Sequence, residues 1–505
     1  MRSFILAIGI IAVACVSKNA DATQAPGPSL RLFKDPYYTC LKNYYVANDG
    51  SDTNNGKSPT TAWATLAHAD YELPGGGAAA GSCINVEPGI YNGVEITHGG
   101  NLASSTGYVV YRCTTMDACT VKGNAGVHNA EAFEPQWNSV GTPPNYLMFD
   151  GFVMAGYNAS TNGVGVSAWN GTNGSPVASH HIWVLNSKIS GFGQSGIGVA
   201  AGEYYYIIHN RISNNSNIQC WSQGSGIAIN IMHTVPNYTP TADDLTNPNP
   251  MLGPTWVVGN SFFHNVIEWN IVNNNGLTQC GTPSNPTDTD GNGIIFDTNL
   301  KIGGNTQDYT APSLAAFNIV YNNGGGGVHV FLSADVTIAN NSCYNNEIDP
   351  GNGGTDRPCM DDANGYGNTF INNIAVAIPT YTGGNCWPTS TPFQKYNIAI
   401  AAFPSASPAD TFSHNITHLL GTSCEAEVNV GNGDTYSCTN NKCGTSPAWT
   451  SVGTLSVGTE TTQPMNADFA LQPGSPAIGY GLTESYLPPS SVDAGACSSI
   501  YLQCR

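Results

Sequence analysis

The sequence predicts an all-β fold, a parallel β-solenoid of roughly ten coils, and three observations carry that expectation. A short phrase built around asparagine recurs at intervals of 23 or 24 residues. A second phrase, Gly followed by alternating apolar residues, recurs after it. Only 10% of the 505 residues are charged while 58 are Gly, too few charges to cover the solvent faces of many amphipathic helices. Lys plus Arg number 15 against 34 Asp plus Glu, a net charge of −19. That balance argues against nucleic acid and acidic membranes as partners, because both need clustered cations.

The asparagine phrase begins near residue 145. Val184-Leu185-Asn186-Ser187-Lys188-Ile189 returns as Ile208-His209-Asn210-Arg211-Ile212, and further copies centre on Asn318, Asn341 and Asn373. Asn260 or Asn270, Asn397 and Asn415 extend the series, and Asp150 holds the same place in an earlier copy. The steps 186 to 210, 318 to 341 and 373 to 397 are 24, 23 and 24 residues, and longer steps read as the same unit with inserted loops. A fixed period of this length means stacked repeats. Each turn must bury backbone polar groups, and an amide stacked on its neighbour supplies both donor and acceptor. A buried asparagine ladder is therefore expected.

The second phrase appears as Gly163-Val164-Gly165-Val166, Gly196-Ile197-Gly198-Val199, Gly226-Ile227-Ala228-Ile229, Gly293-Ile294-Ile295-Phe296 and Gly327-Val328-His329-Val330. Stacked, these make one parallel sheet with a buried side. With Ile294, Phe296, Val328 and Val330 inward, Ile295, Asp297, His329 and Phe331 point outward. By the same count Ser167 and Asn230 face outward.

Residues 1–22 read as a secretory signal peptide: Arg2, an apolar run from Phe4 to Val16, then Ala20-Asp21-Ala22. A lipoprotein signal ending at Cys15 is the competing reading. The expected layout is 1–22 signal peptide, 23–125 cap and first coils, 126–496 β-helix and 497–505 a disulfide-tied tail. Export would remove Cys15 and leave 14 of the 15 cysteines, an even number suited to disulfides. Cys113 with Cys119, Cys438 with Cys443 and Cys497 with Cys504 are the expected local staples. No later apolar run is long enough to span a bilayer. The protein is expected to be secreted and monomeric, without nucleic-acid or membrane partners.

The opening Tyr44-Tyr45-Val46-Ala47, Gly50-Ser51-Asp52 and Ala62-Trp63-Ala64-Thr65-Leu66 looks like a cap, and Leu471-Gln472-Pro473-Gly474-Ser475-Pro476-Ala477 with Asp493-Ala494-Gly495-Ala496 looks like a closing coil. With these segments and the repeats, the chain resembles the right-handed parallel β-helix superfamily of pectate lyases and related secreted polysaccharide-active proteins, over about residues 44–496. The resemblance implies that the strands flanking the Asn turn form two sheets, the Gly-led strands a third, and that substrate lies along the third. Fold is implied strongly and activity weakly, since the superfamily contains lyases, hydrolases, epimerases and adhesins.

Cys359-Met360-Asp361-Asp362 opens the coil after His329, so at least one of these aspartates should project beside it. Asp297, His329 and that aspartate then line one patch, and adjacent acids on a sheet call for a metal, a shared proton or a cation. Asp288 and Asp290 precede Asp297, and Lys301 follows it. A Ca²⁺-dependent polysaccharide lyase would use Asp288, Asp290, Asp297 and Asp362 as metal ligands, with His329, Lys301, Asp297 and Asp361 in the catalytic group. Asn230, Ser167 and Trp221 would contact substrate. The alternatives are a glycoside hydrolase working with Asp297 and Asp361 or Asp362, and a non-catalytic glycan-binding solenoid using Trp169, Trp221 and Tyr204. His209 and His264 are expected to be structural.

Overall fold

The computed structural model describes residues 38–124, 130–135, 143–157, 163–169, 179–217, 224–235, 257–258, 261–277, 281–282, 285–286, 290–349, 358–377, 399–403, 408–420, 428–431, 433–449, 469–482 and 493–496. Short strands recur three per coil and stack into a right-handed parallel β-helix. The first sheet has 11 strands, from Lys42–Val46 to Thr411–Ser413; the second has 10, from Gly89–Asn92 to Ile416–Leu419. The third sheet also has 10, from Val94–Ile96 to Val428–Val430.

Alternation along each strand supplies the interior. Val184, Ile207 and Ile267 enter it from the first sheet, Ile189, Ile212 and Val272 from the second, and Ile197, Ile227 and Ile294 from the third. Burying a side chain of this size contributes about 1.5–3 kcal/mol. The expected cap is present: the helix Leu66–Tyr71, started by the Thr65 side chain accepting from the His68 N–H, places Leu66 and Ala69 over the first coil.

The corner between the first and second sheets carries the asparagine ladder. The N–H of Asn210 donates to Asn270 Oδ1 at 2.9 Å, Asn270 to Asn318 at 3.0 Å, Asn318 to Asn341 at 2.9 Å and Asn341 to Asn373 at 2.9 Å. Asn373 continues to Asn415 and Asn415 to Asn441. Each of these side-chain amides also donates to the next Oδ1, and to a first-sheet carbonyl of the coil before, as Asn270 Nδ2 does to Ile207 O at 2.8 Å. In each coil the residue ahead of the ladder is left-handed: His209, Trp269, Phe317, Asn340, Asn372 and His414 lie at φ 65°, 56°, 55°, 53°, 57° and 56°. Such a conformation costs a non-glycine residue about 1–2 kcal/mol, so the ladder and the stacking of these side chains, as in the Trp269–Phe317 pair at 4.4 Å, must offset it.

Two expected members are displaced, Asn186 by one residue and Asp150 by two. Leu185 pairs with Ile208, which puts Asn186 level with His209 and leaves Ser187 at the ladder position, its N–H donating to Asn210 Oδ1. Asn186 is the left-handed residue of its coil, φ 48°, and its amide reaches Asp150 Oδ1 at 2.8 Å. Asp150 pairs with Leu185 and so precedes the turn. Asn270, not Asn260, occupies the ladder, and Asn260 and Asn397 lie outside the described residues. A second ladder at the corner leading to the third sheet, Asn215–Asn275–Asn323–Asn346, falls five residues after the first in each coil.

The segment expected to close the solenoid lies elsewhere. Phe469, Ala477, Ala494 and Ala496 pack on Ile319, Tyr321, Tyr344, Ile374 and Ile416, the outward side chains of the second sheet. Gly495 N–H donates to Asn372 O, and Ala496 N–H to Ser342 Oγ. Disulfides join Cys40 to Cys83, Cys113 to Cys119, Cys343 to Cys359 and Cys438 to Cys443. Cys497 and Cys504 lie outside the described residues. No helix among the described residues is long and apolar enough to cross a membrane.

Asn270→Ala is expected to strand the Asn210 N–H and the Ile207 carbonyl, lowering stability by about 2–4 kcal/mol. Asn186→Ala should cost less. Equal urea midpoints for the two variants would remove the ladder from its supporting role.

Candidate functional site

Register sorts the third sheet into two outward rows. One runs Glu95, Glu134, Ser167, Gly198, Ala228, Ile295, His329, Asp361 and Ala401. The other runs Ala200, Asn230, Asp297, Phe331 and Ala363. Ahead of the first row, Val166, Ile197, Ile227, Ile294, Val328, Met360 and Ile400 face the interior, and between the rows so do Val199, Ile229, Phe296, Val330 and Ala402, so the alternation read from the sequence places His329 and Asp297 outward.

His329 and Asp361 are direct neighbours. The His329 Nδ1–H donates to Asp361 Oδ2 at 2.7 Å, and both side chains are buried. The imidazole also stacks on Phe331, ring centroids 5.9 Å apart. With Nδ1 held by a carboxylate, Nε2 is the nitrogen that can accept or return a proton, and no hydrogen bond to it is seen among the described residues. The expected order along the sheet is corrected here. Across from His329 on the preceding strand stands Ile295, and Asp297 lies two residues further along, level with Phe331 and Asn230. His329 is 5% exposed, so it is a covered residue and not the exposed sheet side chain that alternation alone suggests.

The second row is open where the first is closed. Asn230, Asp297, Phe331 and Ala363 are each partly exposed and occupy four successive strands. Asp297 Oδ1 accepts from the Thr298 hydroxyl at 2.6 Å. Asn230 Oδ1 is buried without a hydrogen-bond partner.

Asp362 belongs to neither row. It pairs with Val330 and Ala402, both interior, and it points into the solenoid, which removes it from the metal-ligand set. Its Oδ1 accepts from the Gly365 N–H at 2.8 Å, and it faces Asp410. Asp410 Oδ1 accepts from the Asn368 N–H, and Asp434 Oδ1 from the Asp410 N–H, so aspartates continue a corner ladder that Asn368 begins. An acid replacing an amide there can donate only if protonated. Burial pushes Asp362 well above the usual carboxylate range, helped by the charges of Asp410 and Asp361. Burial, opposed by the Asn368 N–H, raises Asp410 to about 7.

The remaining candidates are scattered. Ser167 is buried on the first row. Lys301 begins an exposed turn after the Asp297 strand, its backbone N–H held by Asp308. Asp290 is partly buried ahead of Gly291, while Asp288, Trp221 and the Trp169 side chain lie outside the described residues. Among the described residues no group of three or more His, Cys, Asp or Glu side chains is arranged to hold a metal ion. Of the expected Ca²⁺ set, Asp362 points inward, Asp288 lies outside the described residues, and Asp290 and Asp297 remain.

Tyr204 is no stacking surface: it is buried between His181 and His264 at 4.4 and 4.6 Å. His264 pairs with Glu203, and His209 is pushed down to about 4 by burial and by Arg211, both structural arrangements as expected. Sequence reasoning missed Glu134, which burial, Glu131 and Glu95 push up to about 8. Its signal was present in Val94-Glu95-Ile96 and Phe133-Glu134-Pro135, two strands that alternate apolar and acidic residues.

No protein-family model matches the chain, and no curated protein matches it in sequence. Solved structures with a similar fold include a pectate lyase at 15% identity and TM-score 0.45, covering 91% of this chain and 97% of that one. A structure described as a glycoside hydrolase has 8% identity and TM-score 0.46, with coverage of 80% and 95%. A rhamnogalacturonan lyase has 13% identity and TM-score 0.40, with coverage of 74% and 87%. No residue role passes from these proteins to this chain.

Asp362 and Asp410 bind protons more tightly folded than unfolded, so the stability they contribute is complete in acid and is lost as pH rises through about 7. Asp410→Asn supplies a permanent donor to Asp362. Thermal midpoints of wild type and variant should diverge between pH 5 and pH 8, the wild type falling further; parallel profiles would contradict a shared proton.

Proposed function

We propose that this protein is a secreted, polysaccharide-degrading enzyme that cleaves its glycan on the outer face of the third sheet, with His329 as the group that moves the proton. The observation that carries this reading is the 2.7 Å bond from His329 Nδ1 to Asp361, with Nε2 left for substrate. A carboxylate on one imidazole nitrogen fixes the tautomer and ring orientation, so the other nitrogen is a defined base. Asp361 is then a positioning residue. Disulfides among the described residues support an exported protein, since such bonds persist in oxidising compartments.

Elimination and hydrolysis both need this proton handler, and they differ in what else they require. β-Elimination from a uronate needs its carboxylate neutralised before the α-proton becomes acidic, a task for Ca²⁺ or a nearby cation. Lys301, the notable cation of the loop after Asp297, is the residue that a lyase would recruit. Hydrolysis needs a second proton-bearing group at the leaving oxygen, and Asp297 on the open row is the available carboxyl.

His329→Gln keeps a donor to Asp361 but no base, and it should lower turnover by about 100-fold or more. Asp361→Asn should lower kcat with little change in KM and shift the pH profile of kcat, with partial recovery in Asp361→Glu. Removing the imidazole altogether strands a buried carboxylate, so His329→Ala should also lose about 1–3 kcal/mol of stability. Wild-type turnover in His329→Gln would place the chemistry elsewhere on the solenoid.

A further inference from the structure

We infer that the glycan taken by this face is uncharged and is cleaved by hydrolysis, with its sugar ring seated on Phe331 and the side chains of Asn230 and Asp297 on one flank of it; this rests on the site assigned above. Charge is the first ground. Among the described outward side chains of the third sheet stand Glu95, Glu134, Asp297 and Asp361, and none is Lys or Arg. The whole chain carries −19. The net negative charge opposes a polyuronate approaching this surface, repulsion that screening does not remove within about 8 Å at physiological salt. An acidic floor accepts such a polymer only through bridging cations, and no set of three described His, Cys, Asp or Glu side chains is gathered to hold one. Lys301 stands on an exposed turn after the Asp297 strand, outside the strip.

The open strip itself is the second ground. Asn230, Asp297, Phe331 and Ala363 succeed one another across four strands, a span of about 14 Å at ~4.8 Å per strand. Asn230 Oδ1 has no partner although the atom is buried, which asks for a hydroxyl donor from a ligand. The Asp297 carboxyl stands beside it and, as the acid, offers the sugar one acceptor oxygen and one O–H donor. Phe331 presents an apolar ring, stacked on its far side against His329, and Ala363 leaves space past it. Acceptors on one flank and an apolar ring on the other suit a neutral pyranose or furanose, whose hydroxyls donate and whose C–H face stacks.

Hydrolysis then follows from the substrate, because a sugar without a carboxylate has no acidified C–H for elimination. Water oxygen attacks the anomeric carbon as its proton passes to His329 Nε2. The glycosidic C–O bond breaks, and the leaving oxygen takes a proton from the Asp297 carboxylic acid. His329 returns its proton to Asp297 through solvent, so one water is consumed per bond cleaved.

Affinity electrophoresis and product analysis against xylan, galactan, arabinan and β-glucan on one side, and polygalacturonate and alginate on the other, test this directly. A neutral polymer should be retained and yield new reducing ends without unsaturated sugars, unchanged by chelator. Phe331→Ala and Asn230→Ala should each weaken retention by about 10-fold, the scale of one lost contact. Unsaturated products from either uronan, retention of uronans alone, or retention of none of these polymers would overturn the inference. The two readings fail separately. Uronan cleavage abolished by His329→Gln would refute the substrate class and keep the proton-transfer site, whereas neutral-glycan cleavage indifferent to His329→Gln would do the reverse.

Discussion

The structure depends on satisfying backbone groups at tight interior corners. A coil of three short strands turns sharply between the first and second sheets, and each turn needs a left-handed residue that side chains as large as Trp269 and Phe317 supply. Nothing in those side chains favours that conformation. What holds it is the amide row behind them, in which every member from Asn210 to Asn415 accepts from one coil and donates to another. The hydrogen bonds run along the solenoid axis, perpendicular to the chain, so each coil's corner is set by its neighbours. Register on all three sheets follows, and with it the alternation that decides which side chains reach solvent.

The third sheet shows what that register does for chemistry. His329 and Asp361 are 32 residues apart in sequence, yet they meet because their strands pair one to one. A shift of one residue would exchange Asp361 for Asp362, two aspartates that are adjacent in sequence but have opposite environments. Asp361 sits against an imidazole on the outer face. Asp362 sits in the interior, where burial pushes its carboxyl well above the usual carboxylate range and it shares a corner with Asp410.

Much of this was legible from the residues. The 23- and 24-residue steps implied stacked coils, and Gly-led alternation assigned Val328, His329 and Val330 to their correct sides. Asn186 was misplaced because its phrase offers Asn and Ser side by side, and only pairing with Ile208 reveals that Ser187 is level with Asn210. The step from Asn373 to Asn397 was a false repeat, since the ladder runs on to Asn415 across a longer insertion. Neither Asp362 nor the covered state of His329 could be read locally: Asp-Asp contains no apolar residue to fix the phase, and alternation gives the side of the sheet that His329 takes but not how far that side is covered. The second ladder was readable, for Asn recurs five residues after the first in four coils.

The placement of residues 469–496 bears on how the molecule is made. Coils can stack one after another as chain emerges, each using the last as template. The outer face of the second sheet is different, since Ile319, Tyr321, Tyr344 and Ile374 are covered by Phe469, Ala477, Ala494 and Ala496, and Asn340 waits for Asp493, 153 residues later. Throughout the interval a greasy stripe several coils long is displayed on an otherwise finished rod. Assembly is thus progressive along the axis but sealed by a late event, and the half-made molecule is the species that holding factors must shield from self-association.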